Sequence, residues 1–196
     1  MTTADYPTRQ EGWALVTEHV QSESLRRHCL AVETAMRAYA RHAGEDEEAW
    51  GLVGLVHDFD YEMHPTDDLH PEAGIPILIE RGYPEWVLRA IRSHADYLDV
   101  PRQSPLERTL YAVDELTGFI GAVALVRPSR AVAEVTPESV RKKLKDKRFA
   151  AAIHRDALEC GAVELGVPFD DHVRFVVAAM TENAAALGLA GVEAGR

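Results

Sequence analysis

Residues 51–64 read GLVGLVHDFDYEMH. Gly51 through Val56 are all small or apolar, the composition of a buried segment. The segment then delivers His57 and Asp58, side by side, to the edge of the core. Buried ionisable groups are paired or metal-bound, because an unpaired buried charge costs several kcal/mol or shifts its pKa until it is neutral. An adjacent His–Asp pair at the end of an apolar helix is therefore either a pair of metal ligands or a chance dipeptide. The other histidines and acids of the chain decide between the two.

Outward from this stretch the chain reads as helices. Residues up to about Arg9 look like a loose arm, and Trp13, Leu15, Val16 and Val20 begin a helical pattern. Ser24 is a candidate N-cap for a helix from about Leu25 to His42, in which Leu25, Cys29, Val32, Met36 and Tyr39 recur at helical spacing on one face. His28 lies beside that face, and Gly44 ends the helix. Glu45 to Glu48 place negative charge at the start of the helix that carries the opening stretch, where its dipole favours it. After the pair comes a polar loop, Asp60 to Leu69. Pro71 then suits the first turn of a helix, and a further helix from about Glu85 reaches His94. Leu106 to Val126 reads as one long helix with Asp114 in its interior. Thr136-Pro137 caps and opens a charged helix, and two more follow, about Phe149 to Leu165 and Phe169 to Leu187. Gly188 to Arg196 read as frayed. No segment alternates with period two between hairpin turns, so the fold class is all-α, with about eight or nine helices.

The chain has 196 residues, 46% of them hydrophobic and 27% charged, enough for a sizeable core and no wholesale disorder. The formal net charge of −11 opposes binding to duplex nucleic acid, which needs clustered Lys and Arg. It does not oppose one small anion at a metal. Two cysteines, Cys29 and Cys160, make neither a disulfide framework nor a CxxC zinc pattern, and reduced thiols are the simplest reading. The N-terminus is polar, and the apolar run 118–126 falls short of the roughly 20 residues a membrane helix needs. These features predict a soluble cytoplasmic protein with no membrane partner. Its oligomeric state is not legible.

His28, His57, Asp58, His70, His94 and Asp114 lie at or near apolar helix faces. Four imidazoles and two carboxylates suit one or two divalent metal ions, with Mn, Fe, Co, Ni, Zn and Mg all open. Each residue alone has a plainer role. His28 can be a half-buried histidine, His70 a loop residue before Pro71, His94 a cation at a helix C-terminus and Asp114 a buried acid paired with Arg.

The order His28, His57-Asp58, Asp114 resembles the HD-domain superfamily of metal-dependent phosphohydrolases, whose signature is His…His-Asp…Asp on a helical bundle. RRHCLAVE around His28, LVHDFDYE, HPEAG from His70, AIRSHAD ending near His94 and AVDELTGF around Asp114 carry the likeness. It covers about residues 22–126. It implies a single HD-type domain across 1–196, with the metal-binding core there and a C-terminal helical extension over about 136–187. It also implies that Asp58 bridges two metals, that His28, His57 and Asp114 hold the first, and that His70 and His94 hold the second. With one metal, His70 and His94 would instead contact substrate or act as general acid, so Asp58, His70 and His94 are the candidate catalytic residues. One departure stands out: family members often have Gly two residues after the HD aspartate, where this chain has Asp60. That acid either orients a ligand histidine or is solvated in the loop.

The implied reaction is hydrolysis of a phosphoester in a small phosphorylated metabolite, a nucleotide first among them, by a metal-activated water. Arg26 and Arg27, just before His28, are the candidate substrate-binding residues. The basic run 141–148 is a second candidate, or a solvated helix face. Two other functions compete. A branch of HD-like proteins uses the same six ligands to hold two irons and cleave a C–P or C–C bond with oxygen. A non-catalytic, metal-stabilised binding module is the other, and the complete ligand set opposes it. No GYP-type signature points to cyclic dinucleotides.

Overall fold

The computed structural model describes residues 5–192, which contain nine α-helices and no strand. The chain divides between Leu110 and Tyr111 into two compact units. In the first, α1 (Arg9–His19) starts with a capping box, Thr8 and Glu11 satisfying each other's backbone N–H. The residues before it are not a loose arm from Asp5 on. The Tyr6 hydroxyl donates to Asp46 at 2.9 Å, and its ring meets Trp86 edge-on. Residues 1–4 of the expected arm lie outside the described residues.

Helix α2 (Glu23–Ala43) is capped by Ser22 rather than Ser24 and ends at Gly44 in the left-handed region, φ 72°. Helix α3 (Glu47–Val56), capped by Asp46, buries every residue from Ala49 to Val56. It packs against α1 and most extensively against α2. The α2–α3 approach is close: a Cβ on Gly54 would lie 3.0 Å from both Glu33 N and Val32 O. Glu33, buried on α2, receives Arg9 at 2.6 Å and Arg37 at 2.9 Å.

Pro71 does not open a helix. Its peptide with His70 is cis, and residues 69–74 form turns, Ala73 N donating to Leu69 O at 2.7 Å. The helix, α4 (Ile75–Glu80), begins later with Pro76 in its first turn. Helix α5 (Glu85–His94) touches α3, and a 3-10 turn over Asp96–Leu98 follows it.

Helix α6 (Pro105–Leu125) runs through the division point. In the second unit, α7 (Pro137–Leu144), α8 (Arg155–Leu165) and α9 (Phe169–Glu182) are the helices that follow, α9 packing against α7 and α8. Helix α8 starts six residues later than the sequence suggests. The Arg155 guanidinium is bound instead by the carbonyls of Leu144, Asp146 and Phe149, which holds 145–153 as turns. The C-terminal stretch is held at least as far as Val192. Leu187 and Leu189 are buried, and Val192 N donates to Ser129 O at 2.8 Å. Residues 193–196 lie outside the described residues. Among the described residues no helix is long and apolar enough to cross a membrane.

Candidate metal centre

Asp58 follows the C-cap of α3 and sits between four imidazoles. Its Oδ2 lies 3.5 Å from His28 Nε2 and 3.4 Å from His57 Nε2. Its Oδ1 lies 3.2 Å from His70 Nε2 and 3.6 Å from His94 Nε2. One carboxylate thus divides its two oxygens between two pairs of histidines. His28 comes from α2, His57 caps α3, His70 comes from the turns after α3 and His94 is the last residue of α5.

The far side of three of these rings fixes their chemistry. A carbonyl oxygen only accepts, so His57 Nδ1 donates to Gly54 O at 2.8 Å and His94 Nδ1 to Ile91 O at 2.5 Å. His70 Nδ1 donates to Asp60 Oδ1 at 2.9 Å. A neutral imidazole whose Nδ1 carries the hydrogen presents a lone pair at Nε2, the atom that ligates a metal. All three Nε2 atoms point toward Asp58.

The spacing also suits an ion. Donor atoms of His28, His57 and Asp58 lie within 4.8 Å of one another, as do those of Asp58, His70 and His94. The Nε2 atoms of His70 and His94 are 3.4 Å apart. Two nitrogens about 2.1 Å from one ion at the tetrahedral angle are separated by roughly 3.4 Å. Imidazole nitrogen with carboxylate oxygen is a donor set for divalent first-row metals. The residues present therefore fit such an ion.

The electrostatics point the same way. Burial raises the Asp58 pKa, but the histidines around it outweigh that and hold the carboxyl well below its usual range. Burial opposes a charged His70, yet its bonds to Asp58 and Asp60 lift its pKa to about 9. The field around these carboxylates favours a cation at Nε2. A divalent ion answers that field with twice the charge of a proton.

Asp114 lies on α6, in the second unit, where it is partly exposed. The two arginines are committed elsewhere. Arg26 donates to Val20 O at 2.7 Å and Thr17 O at 3.1 Å, closing the end of α1, and Arg27 pairs with Glu23 at 2.9 Å on an exposed face. Proximity to His28 in sequence suggested them for substrate, but on a helix successive residues face different directions. In the basic run, Arg141 pairs with Asp170 at 2.7 Å and Lys143 sits over the Phe149 ring. That agrees with the solvated-face reading. Cys29 is buried and Cys160 exposed.

Asp60 is fully buried and bound to His70, which resolves its two readings in favour of orienting a histidine. Sequence reading passed over two tyrosines. Tyr61 lays its ring edge-to-face with His70, centroids 5.1 Å apart, and the Tyr97 hydroxyl donates to His70 O at 2.8 Å. Both are more than 40% exposed. Their signal was position, one just after Asp60 and the other just after His94.

Compared with known families, residues 25–118 match the HD domain. No curated protein and no solved structure matches the chain.

Proposed function

Because residues 25–118 make this chain a member of the HD-domain superfamily of metal-dependent phosphohydrolases, we propose that it hydrolyses a small phosphorylated metabolite. One observation carries the reading: the Asp58 carboxylate is shared between His28 and His57 on one oxygen and His70 and His94 on the other. In this reading His28, His57, Asp58 and, by the family pattern, Asp114 hold one ion, and His70 and His94 with Asp58 hold a second. Such ions polarise a phosphoryl oxygen and acidify water near neutral pH.

The chain's own residues do the rest. Asp58 stays ionised and holds its partners in register through both oxygens. The Nδ1 bonds to Gly54, Asp60 and Ile91 keep three imidazoles aimed at it. With a single ion, His70 keeps its proton and serves as general acid for the leaving oxygen. A nucleotide is the favoured substrate. Tyr61 and Tyr97, partly exposed aromatic residues that touch His70, are the side chains proposed to meet the base. The net charge of −11 speaks against duplex nucleic acid as the partner.

Metal analysis of protein purified without added metal, followed by a phosphatase screen with Asp58→Ala alongside, tests the reading. The expected result is bound divalent metal, phosphoesterase activity in wild type, and activity at background in a variant of unchanged helicity. Full activity in Asp58→Ala would place the chemistry elsewhere. Two irons per chain without phosphatase activity would favour oxygen-dependent C–P or C–C cleavage.

A further inference from the structure

We infer that Asp60 is a positioning residue for the second metal, acting through His70 and made possible by Gly74. This rests on the metal reading above. His57 and His94 stand at helix ends and give their Nδ1 hydrogens to carbonyls three residues back, Gly54 O and Ile91 O. His70 stands in the turns of residues 69–74, outside any helix, and has no such carbonyl. Its Nδ1 partner is Asp60 Oδ1, ten residues earlier.

A buried carboxylate is costly unless paired. Asp60 is 0% exposed, and its Oδ2 has no hydrogen-bond partner among the described residues. The placement makes sense as support for His70. A carboxylate on Nδ1–H fixes the tautomer, holds the ring plane and makes Nε2 a stronger donor than a carbonyl would. Packing completes the clamp. A Cβ on Gly74 would lie 2.7 Å from Asp60 Cγ and 2.9 Å from Oδ2, so the backbone at 74 is pressed against the carboxylate. Any side chain there would push Asp60 off His70. Positions 60 and 74 therefore act as a matched pair in this chain.

The test is titration of metal-free protein with Co(II), followed by its visible absorption, with far-UV circular dichroism as the check on folding. Wild type should take two ions. Asp60→Ala should weaken the second by about 10–100-fold and leave the first unchanged. Asp60→Asn keeps an acceptor at Oδ1 and should recover much of the loss. Gly74→Ala leaves every ligand in place and should resemble Asp60→Ala. If Asp60→Ala does not fold, Asp60→Asn and Gly74→Ala carry the comparison. Second-ion affinity equal to wild type in Gly74→Ala and in the folded Asp60 variants would overturn the inference. So would a wild type that saturates at one ion, since His70 would then be no ligand. A wild type that binds no ion would sink the metal reading itself.

Discussion

Replacing Gly54 by Ala should damage the fold and the metal site together. The added Cβ would stand 2.9 Å from Met36 Cγ and 3.0 Å from Glu33 N and Val32 O. Ordinary contact begins near 3.4 Å, so α2 and α3 must part by about 0.4 Å at two backbone atoms that cannot rotate away. Overpacking of this kind costs about 1–3 kcal/mol. The gain in helix propensity returns about 1 kcal/mol. A net loss of up to about 2 kcal/mol lowers the midpoint of thermal unfolding by up to about 8 °C for a chain of this length. The same movement shifts His28 on α2 against His57 at the end of α3, and Gly54 O is itself the acceptor for His57 Nδ1. First-ion affinity should therefore fall on the order of tenfold. The control is Gly121→Ala in α6, where a Cβ would meet Leu189 Cδ1 at 3.9 Å, an ordinary contact. That variant should be as stable as wild type or slightly more so. Thermal scans by circular dichroism, without and with metal, read both effects. A Gly54→Ala protein that matches the Gly121→Ala control in stability and binds metal like wild type would refute the reasoning.

Glu33→Ala removes the buried acceptor of Arg9 and Arg37. Breaking a buried pair costs about 3–5 kcal/mol, but Arg9 is half exposed and Arg37 keeps Glu48 at 2.7 Å, so urea denaturation should show a loss nearer about 2–3 kcal/mol. A loss below about 0.5 kcal/mol would mean that the pair contributes no more than a surface bridge. His172, whose Nε2 donates to Ala112 O at 2.9 Å, has its pKa lowered by burial, which outweighs that bond. Its neutral form stabilises the fold above the unfolded pKa of about 6.5, and that contribution is lost as pH falls toward the lowered folded value. Gln at 172 keeps a donor without titrating. Wild type should therefore lose more stability than His172→Gln between about pH 7 and about pH 5, and parallel curves would show that His172 does not drive the difference.

Helix positions were legible because periodicity and caps are local. The apolar faces of α2 and α3, Gly44 as a terminator and Thr136-Pro137 as an opener all act within a turn or two of their own sequence. His57-Asp58 was legible for a related reason: a short apolar run delivers it to a helix end. What was not legible depended on distant partners. Pro71 suits a helix start, yet the turns around it leave His70 O for Tyr97, 27 residues on. Arg26 has the charge to meet a phosphate, but its direction on α2 sends it to the carbonyls ending α1. Asp60 had two readings because burial decides between them, and burial is a property of the packed chain.

The same distinction explains how the histidines are built. A helix leaves its last carbonyls without helical partners. His57 and His94 each sit where such a carbonyl lies three residues back, and each spends its Nδ1 hydrogen there. A helix end therefore supplies both the imidazole and the acceptor that aims it, at no cost in additional buried polar groups. His70 has no helix beneath it, so a second buried carboxylate must be recruited from ten residues away. That carboxylate brings charge as well as direction. The second pair of histidines is thus tuned differently from the first, with Asp60 adding negative charge on the His70 side only. Asp60 is thus the residue that aims His70, as backbone carbonyls aim His57 and His94.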